Sequence, residues 1–404
     1  MKKKFYFFYF FLGIISHSLY GQYVWVQKAT FGGPARHRTV GICIGNRGYM
    51  GLGHINSVVD IQFDDWWEYD PGSNYWTQKA SYGGGKRYHA AAFSIGNKGY
   101  VGTGRDLNLN NTDDFWEYDP VMNKWTRKAD FGGYARRGAV GFSIGNKGYI
   151  GTGSYEQDFW EYNPSTDKWT QKADFPGSGR TSAVGFSIDT KGYIGTGDDG
   201  DGKKDFWEYN PSTDHWTAKA SLPGLARMEA AGFSLNGMGY IGTGDDFSSG
   251  TSYEDFWRYN PTTNSWTQVA DFGGSARRYL CCFTIGSRAY GGMGTNGTNF
   301  QDFWEYGNLS DMYELNYCSK NAVSIYPNPM TTSSTITVDG LFQTTPKNLD
   351  FVLYDMKGSK ILEINNINTE EFQIERGSMQ NGIYIYSITS AENKLIGSGK
   401  LMIQ

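Results

Sequence analysis

The string DFWEYNPSTDKWTQKADFPG at residues 158–177 returns almost unchanged as DFWEYNPSTDHWTAKASLPG at 205–224. A motif repeated at a fixed period is a unit of architecture, so this repeat constrains the fold more than any other feature. The second tryptophan of the motif recurs as Trp25, Trp76, Trp125, Trp169, Trp216 and Trp266, at intervals of 51, 49, 44, 47 and 50 residues. Each is followed by a TQKA-like tail, a Gly-rich turn, an arginine, an alternating run such as AVGFSIG, and then NKGYIGTG. A loop of variable length leads to the next DFWEY or its one-residue variants DWWEY and DFWRY, an element that occurs six times. Each unit therefore holds four short runs rich in β-branched and aromatic residues, bounded by Gly, Asn-Pro or Asn-Lys-Gly turns. Four antiparallel strands in a unit of about 40–50 residues predict a propeller blade, and six units predict six blades. A helical solenoid is disfavoured, because no window places apolar residues at i, i+3, i+4 and i+7 over a helical length.

Strands can be lettered a to d from the axis outward. Strand a is the AVGFSI run, whose alternate small residues suit a crowded axis. Strand b is GYIGTG, strand c is DFWEY, and strand d opens at the tryptophan. Phe and Glu of strand c should point to one face and Trp and Tyr to the other. Asn-Pro ends strand c because proline cannot donate to a ladder. The array begins with a lone d strand at Trp25 and ends with a, b and c of a sixth unit. The simplest closure lets the N-terminal strand complete the last blade, which removes free edges. The competing closing strand is MYELNY, whose Tyr313 follows Phe303 by ten residues.

The Tyr-x-Gly-x-Gly end of strand b, the later tryptophan and the period near 50 residues resemble kelch repeats, with the galactose-oxidase type the nearest in pattern. The resemblance covers about residues 22–313. It departs in one detail: a residue separates the glycines in GTG and GLG, and only the sixth unit reads GGMG. The resemblance implies an all-β, six-bladed kelch-like propeller.

Both ends of the chain differ from the repeats. MKKKFYFFYFFLGIISHSLYGQ places three lysines before an apolar run and small residues, the pattern of a signal peptide over residues 1–21. The run is short for a membrane span. After Cys318 tryptophan disappears, and Ser, Thr, Ile and Asn rise. AVSIYPNPMTTSSTITV, FVLYDMKGSKIL and NGIYIYSITSAENKLIGSGKLMIQ alternate as strands between Gly and Asn turns, predicting a small β-sandwich over 322–404 after a linker at 314–321. The Tyr-Pro-Asn-Pro start, the Asp-x-x-Gly turn, the Asn-Gly-Ile-Tyr strand and the final Lys-Leu strand resemble the C-terminal sorting domain of the type IX secretion system of Bacteroidetes. That resemblance implies the secretion machinery as a partner, and a protein released outside the cell or held on its surface.

Strand alternation puts the d–a and b–c loops on one face of the ring. The a–b and c–d turns on the other face are monotonous. The b–c loops contain 11, 9, 4, 7, 10 and 7 residues, and variable loops on a rigid scaffold are where binding usually resides. His54, Arg105, Tyr155 and Asp246 in these loops are therefore the expected ligand contacts, with Arg87 and Arg136 beneath them. Those two arginines belong to a six-fold set, Arg36, Arg87, Arg136, Arg180, Arg227 and Arg277, matched by Asp65, Asp114, Asp158, Asp205, Asp255 and Asp302. Six-fold recurrence favours structural Arg–Asp pairs over a basic ring for an anion such as a sialic acid or uronate. Tyr253 and Phe300 are weaker platform candidates.

No cofactor is expected. Asp198, Asp199 and Asp201 supply oxygens that suit calcium, although their spacing is not that of a calcium loop. Copper-oxidase chemistry lacks its ligands: the histidines beyond the leader are His37, His54, His89 and His215, and no cysteine lies in a b–c or d–a loop. Cys43, Cys281 and Cys282 are read as buried free thiols. A net charge of −4 leaves no basic footprint for nucleic acid. The expected function is non-catalytic binding of a carbohydrate or protein outside the cell. The alternative is a sugar mutarotase or epimerase of kelch-propeller type.

Overall fold

In every repeat the AVGFSI-type run forms the innermost strand, because small residues let neighbouring blades meet at the axis. At Gly232 an added Cβ would stand 2.0 Å from Cγ1 of Val184 in the preceding blade. Blade three illustrates the plan. Strands Val140–Ile144, Lys147–Gly151, Phe159–Asn163 and Lys168–Lys172 pair antiparallel in that order, with Phe142 opposite Tyr149 and Tyr162 opposite Trp169. Five such four-stranded sheets come from consecutive strands. The sixth takes Cys281–Ile285, Arg288–Gly292 and Phe303–Asn308, and is completed by Tyr23–Gln27 from the other end of the chain. The N-terminal strand thus closes the ring. MYELNY lies outside the described residues. The structure is a computed structural model, and it describes residues 23–56, 60–246, 250–308, 323–338, 348–356, 358–390 and 395–404. The signal-peptide region and the linker at 314–321 fall outside that set. The chain divides into one compact unit over 23–307 and another over 308–353 and 361–404.

The two tryptophans of each repeat have separate tasks. The first, on strand c, donates from Nε1 to the aspartate two residues earlier, as Trp160 does to Asp158 at 2.7 Å. The second fills the gap between blades. Trp169 lies 4.9 Å from Phe115, 5.1 Å from Phe131 and 5.0 Å from Tyr162, centroid to centroid. Its Nε1 donates to Ala129 O, while Asp167 accepts from Ala129 N and the Tyr162 hydroxyl. The same tryptophan–alanine bond recurs at four other junctions. Where blade five meets blade six, Trp25 Nε1 is buried without a partner. Burial on strand c does not follow simple alternation: Phe and Tyr, on opposite faces, are buried, whereas Trp and Glu are half-buried, because both faces meet neighbouring blades. Cys43, Cys281 and Cys282 are free thiols; Cys281 is buried and the other two half-buried.

The second unit is a β-sandwich. One sheet orders Val323–Tyr326, Ser333–Val338 and Glu371–Glu375; the other orders Lys360–Ile367, Leu349–Tyr354, Gly382–Ser390 and Leu395–Ile403. Ile336, Val338, Leu349, Phe351, Leu353, Ile388 and Leu401 form its core. Asn328 of Tyr-Pro-Asn-Pro hydrogen-bonds Lys400 O and Met402 N, so the opening motif is fastened to the final strand.

Candidate ligand site at the channel mouth

Each blade enters strand a through its recurrent arginine, and all six are buried. Every one forms a two-pronged pair with the aspartate that opens strand c. Arg136 also donates to Tyr134 O and Thr152 O, and Arg87 to Gly84 O and Thr103 O. Burial pushes Asp114 upward, but the Arg87 guanidinium outweighs it and holds the carboxyl below its ordinary range. The guanidiniums are spent on holding loop to strand. Tyr253 and Phe300 are absorbed too, stacking on Arg227 and Arg277 at 4.7 and 3.8 Å.

The two residues after each arginine behave differently. The second of them has positive φ in every blade: Arg38, His89, Gly138, Ser182, Glu229 and Tyr279, at 55–64°. Five backbone bonds join these positions around the axis, from His89 N to Arg38 O onward through Gly138, Ser182 and Glu229 to Tyr279 N. The first of the two residues lies beside the first residue of the b–c loop, as in the bridges His37–His54, Tyr88–Arg105, Thr181–Asp198, Met228–Asp245 and Arg278–Thr295. The backbone is thus uniform while the side chains around the channel mouth differ from blade to blade.

They enclose a cavity of about 560 Å³. Of its thirteen lining residues, nine come from d–a segments and four from b–c loops. Arg38, Arg105 and Arg137 bring positive charge, and Tyr88, Tyr155 and Tyr279 bring aromatic rings. Two acids lie on the wall, Asp198 and Glu229. At Glu229, Tyr279 OH donates to Oε1, Arg38 Nη2 lies 3.9 Å from that atom, and Arg278 Nε lies 3.4 Å from Oε2 without hydrogen-bond geometry. Burial pushes its pKa up to about 8 against the pull of Arg38 and Arg278, with Asp245 adding to the rise. Glu229 therefore carries a proton through most of the neutral range. Asp245 behind it is 1% exposed and pairs with Arg278 Nη1 at 2.5 Å. Asp245 Oδ1, Glu229 Oε2 and Arg38 Nε are buried without hydrogen-bond partners, a concentration of unmet polar atoms that is uncommon away from functional sites.

Three histidines, His37, His54 and His89, converge here from separate stretches of the sequence. His37 and His54 rings lie 4.4 Å apart, and His54 stacks on Tyr88 at 4.1 Å. Arg38 donates to His54 Nε2, which leaves the Nδ1 proton for Asp60. His37 Nδ1 meets Asn299. Burial pushes His54 down to about 4 and His37 to about 3, with neighbouring positive groups adding to the fall. Both are neutral at physiological pH. Among the described residues no group of three His, Cys, Asp or Glu is arranged to hold a metal. Asp199 pairs instead with Lys203 at 2.7 Å, and Asp198 accepts from Tyr155 OH.

Of the residues expected from sequence, Arg105 and Tyr155 line the cavity. His54 stands just behind it, 2% exposed. Asp246 sits in a small hairpin, Asp245–Asp246 against Thr251–Ser252, and is not among the lining residues. Arg87 and Arg136 are buried in their aspartate pairs. Arg38, Arg137, Glu229 and Tyr279 were not expected.

Residues 324–404 match the family model described as "Secretion system C-terminal sorting domain", and residues 240–273 match the "Kelch motif". No curated protein matches the sequence. Among solved structures, the one titled "Structure of YjhT" is similar, with 16% identity and a TM-score of 0.58 over 68% of this chain and 96% of that one. At that identity the likeness speaks for the fold alone.

Proposed function

Because this chain is an exported six-bladed kelch propeller carrying a type IX secretion sorting domain, we propose that it works outside the cell by binding a small acidic carbohydrate at the channel mouth. The observation that carries this is the composition of the cavity wall. Arg38, Arg105 and Arg137 face about 560 Å³, a volume suited to a sugar, and outnumber Asp198, which accepts from the Tyr155 hydroxyl, while Glu229 is held neutral and does not repel an anion. Neutral Glu229 and the Tyr88 hydroxyl add donors for sugar oxygens. A leader peptide removed on export is part of the same proposal.

The test is isothermal titration of the secreted protein with galacturonate, glucuronate and sialic acid, against galactose and glucose. Binding of at least one acid, with no binding of its neutral counterpart, is the expected result. R137A should abolish it. Equal affinity for acids and neutral sugars would overturn the assignment of charge, and failure to bind any of them would overturn the assignment of the ligand class.

One observation favours a second reading, a mutarotase or epimerase acting on such a sugar. A carboxyl with pKa about 8, beside Tyr279 and Arg38, is poised to exchange protons near neutral pH. NMR exchange spectroscopy of the anomeric protons, with wild type against E229Q, tests it. An anomeric exchange rate unaffected by wild-type protein refutes it.

A further inference from the structure

Blade three departs from the other five at one place. Its b–c loop is only Ser154–Gln157, between loops of nine and seven residues in blades two and four. The turn runs through four successive left-handed residues, Thr152, Gly153, Ser154 and Tyr155, with φ of 55°, 83°, 47° and 66°; the first two have counterparts in other blades, and Ser154 and Tyr155 are the departure. A tyrosine with φ in this region is an outlier, and such conformations persist where the surroundings impose them and collect at functional sites. The surroundings do impose it here. Glu156 N bonds Gly153 O at 2.9 Å, and Gly179 of the next loop leaves room for the Tyr155 carbonyl, which would stand 2.0 Å from an added Cβ.

The result is an aromatic ring held at the rim. The Tyr155 hydroxyl donates to Asp198 Oδ2 at 3.1 Å, and Ser154 Oγ accepts from Asn111 at 3.3 Å, so both neighbouring loops brace the turn. The side chain lines the cavity yet is 56% exposed. It spans the inside and the outside of the site at the lowest point of the rim, with Arg105 and Arg137 also on the wall. A pinned tyrosine offers a large rigid surface at little entropic cost, and its face accepts the apolar C–H side of a sugar ring.

We infer that Tyr155 is the platform of a second subsite, so that the protein takes the terminal unit of an acidic oligosaccharide in the cavity and stacks the next sugar on this ring. This rests on the acidic-sugar assignment above and extends it from a monosaccharide to a chain end. The short loop is the exit for the chain.

The experiment titrates galacturonate and trigalacturonate into the secreted protein, wild type against Y155A and Y155F, with a thermal melt of each. Wild type should bind the trimer at least tenfold more tightly than the monomer. Y155A should reduce that ratio to less than twofold, with the loss of affinity falling mainly on the trimer. Y155F, which keeps the ring and loses the Asp198 bond, should retain most of the ratio. A ratio near one in wild type, or one that survives in Y155A, overturns the second subsite. Equal weakening of both ligands by Y155A overturns it too, by placing the ring in the first site. If wild type binds neither compound, the second subsite as inferred fails, and titration of glucuronate and sialic acid decides whether the acidic-sugar assignment fails with it.

Discussion

Arg136 and Arg137 are adjacent in sequence and opposite in role, which makes them the sharpest test of how the scaffold and the site divide. Arg136 is fully buried and makes a two-pronged pair with Asp158 and bonds to Tyr134 O and Thr152 O. Removing one partner of a buried pair costs about 3–5 kcal/mol, since the other charge is left uncompensated. Asp158 is 17% exposed and keeps its bond from Trp160, which places its share near the bottom of that range. The stranded Thr152 carbonyl adds roughly 1 kcal/mol. R136A should therefore lose about 4 kcal/mol, and at about 2–4 °C per kcal/mol for a domain of this size the melting temperature should fall by roughly 10 °C. Arg137, by contrast, lines the cavity. R137A should melt within about 2 °C of wild type, a change under 1 kcal/mol, and lose galacturonate binding. Urea unfolding and titration on the two secreted variants decide it. If R136A melts normally, the paired ring does not hold the loops. If R137A binds normally, the site is not where the cavity is.

Three further outcomes follow. Glu229 has a folded pKa raised to about 8 by burial, above its value in the unfolded chain. The folded state thus holds the extra proton between the ordinary carboxylate range and pH 8, so the stability that Glu229 contributes should fall as pH rises through that window; the lowered pKa values of buried His37, His54 and His89 give the opposite slope below about pH 6.5, so the effect is read as wild type minus E229Q in pH-resolved urea melts, a difference that should fall up to pH 8 and level off above it. W169F deletes a bond to Ala129 O that Trp25 does not make at the closing junction, so W169F should destabilise by about 1 kcal/mol more than W25F, and equal losses would show that the bond contributes nothing. Mass spectrometry of the protein recovered outside the cell should find neither residues 1–15 nor the sorting domain at 324–404; an intact C-terminus on external protein would contradict removal of that domain.

The blades could be read from sequence because each packing decision is written six times. A tryptophan that fills the gap between blades, or an Asn-Pro that ends a strand, recurs at the same offset, so chance matches drop out. The closing strand was legible for the same reason: a repeat beginning with d and ending with c leaves one strand owed at each end. The ring arginines show where such reading stops. Their pairing with the aspartates was legible from six-fold recurrence, but the burial that removes Arg87 and Arg136 from the ligand contacts was not. Variation in loop length pointed to Arg105 and Tyr155. It missed variation in kind at constant length, which is where most of the wall lies. The pairs His37–Arg38, Tyr88–His89, Arg137–Gly138, Thr181–Ser182, Met228–Glu229 and Arg278–Tyr279 follow the recurrent arginine, and no two of them are the same. That contrast was present in the sequence. What was absent was the conformation that gives it meaning. The second residue of each pair has positive φ, and its carbonyl or amide joins a belt of backbone bonds around the axis. The belt uses main-chain atoms only, so the fold is indifferent to which side chain each blade contributes there. Six positions around one channel mouth are thereby free to change chemistry without cost to the blades that carry them.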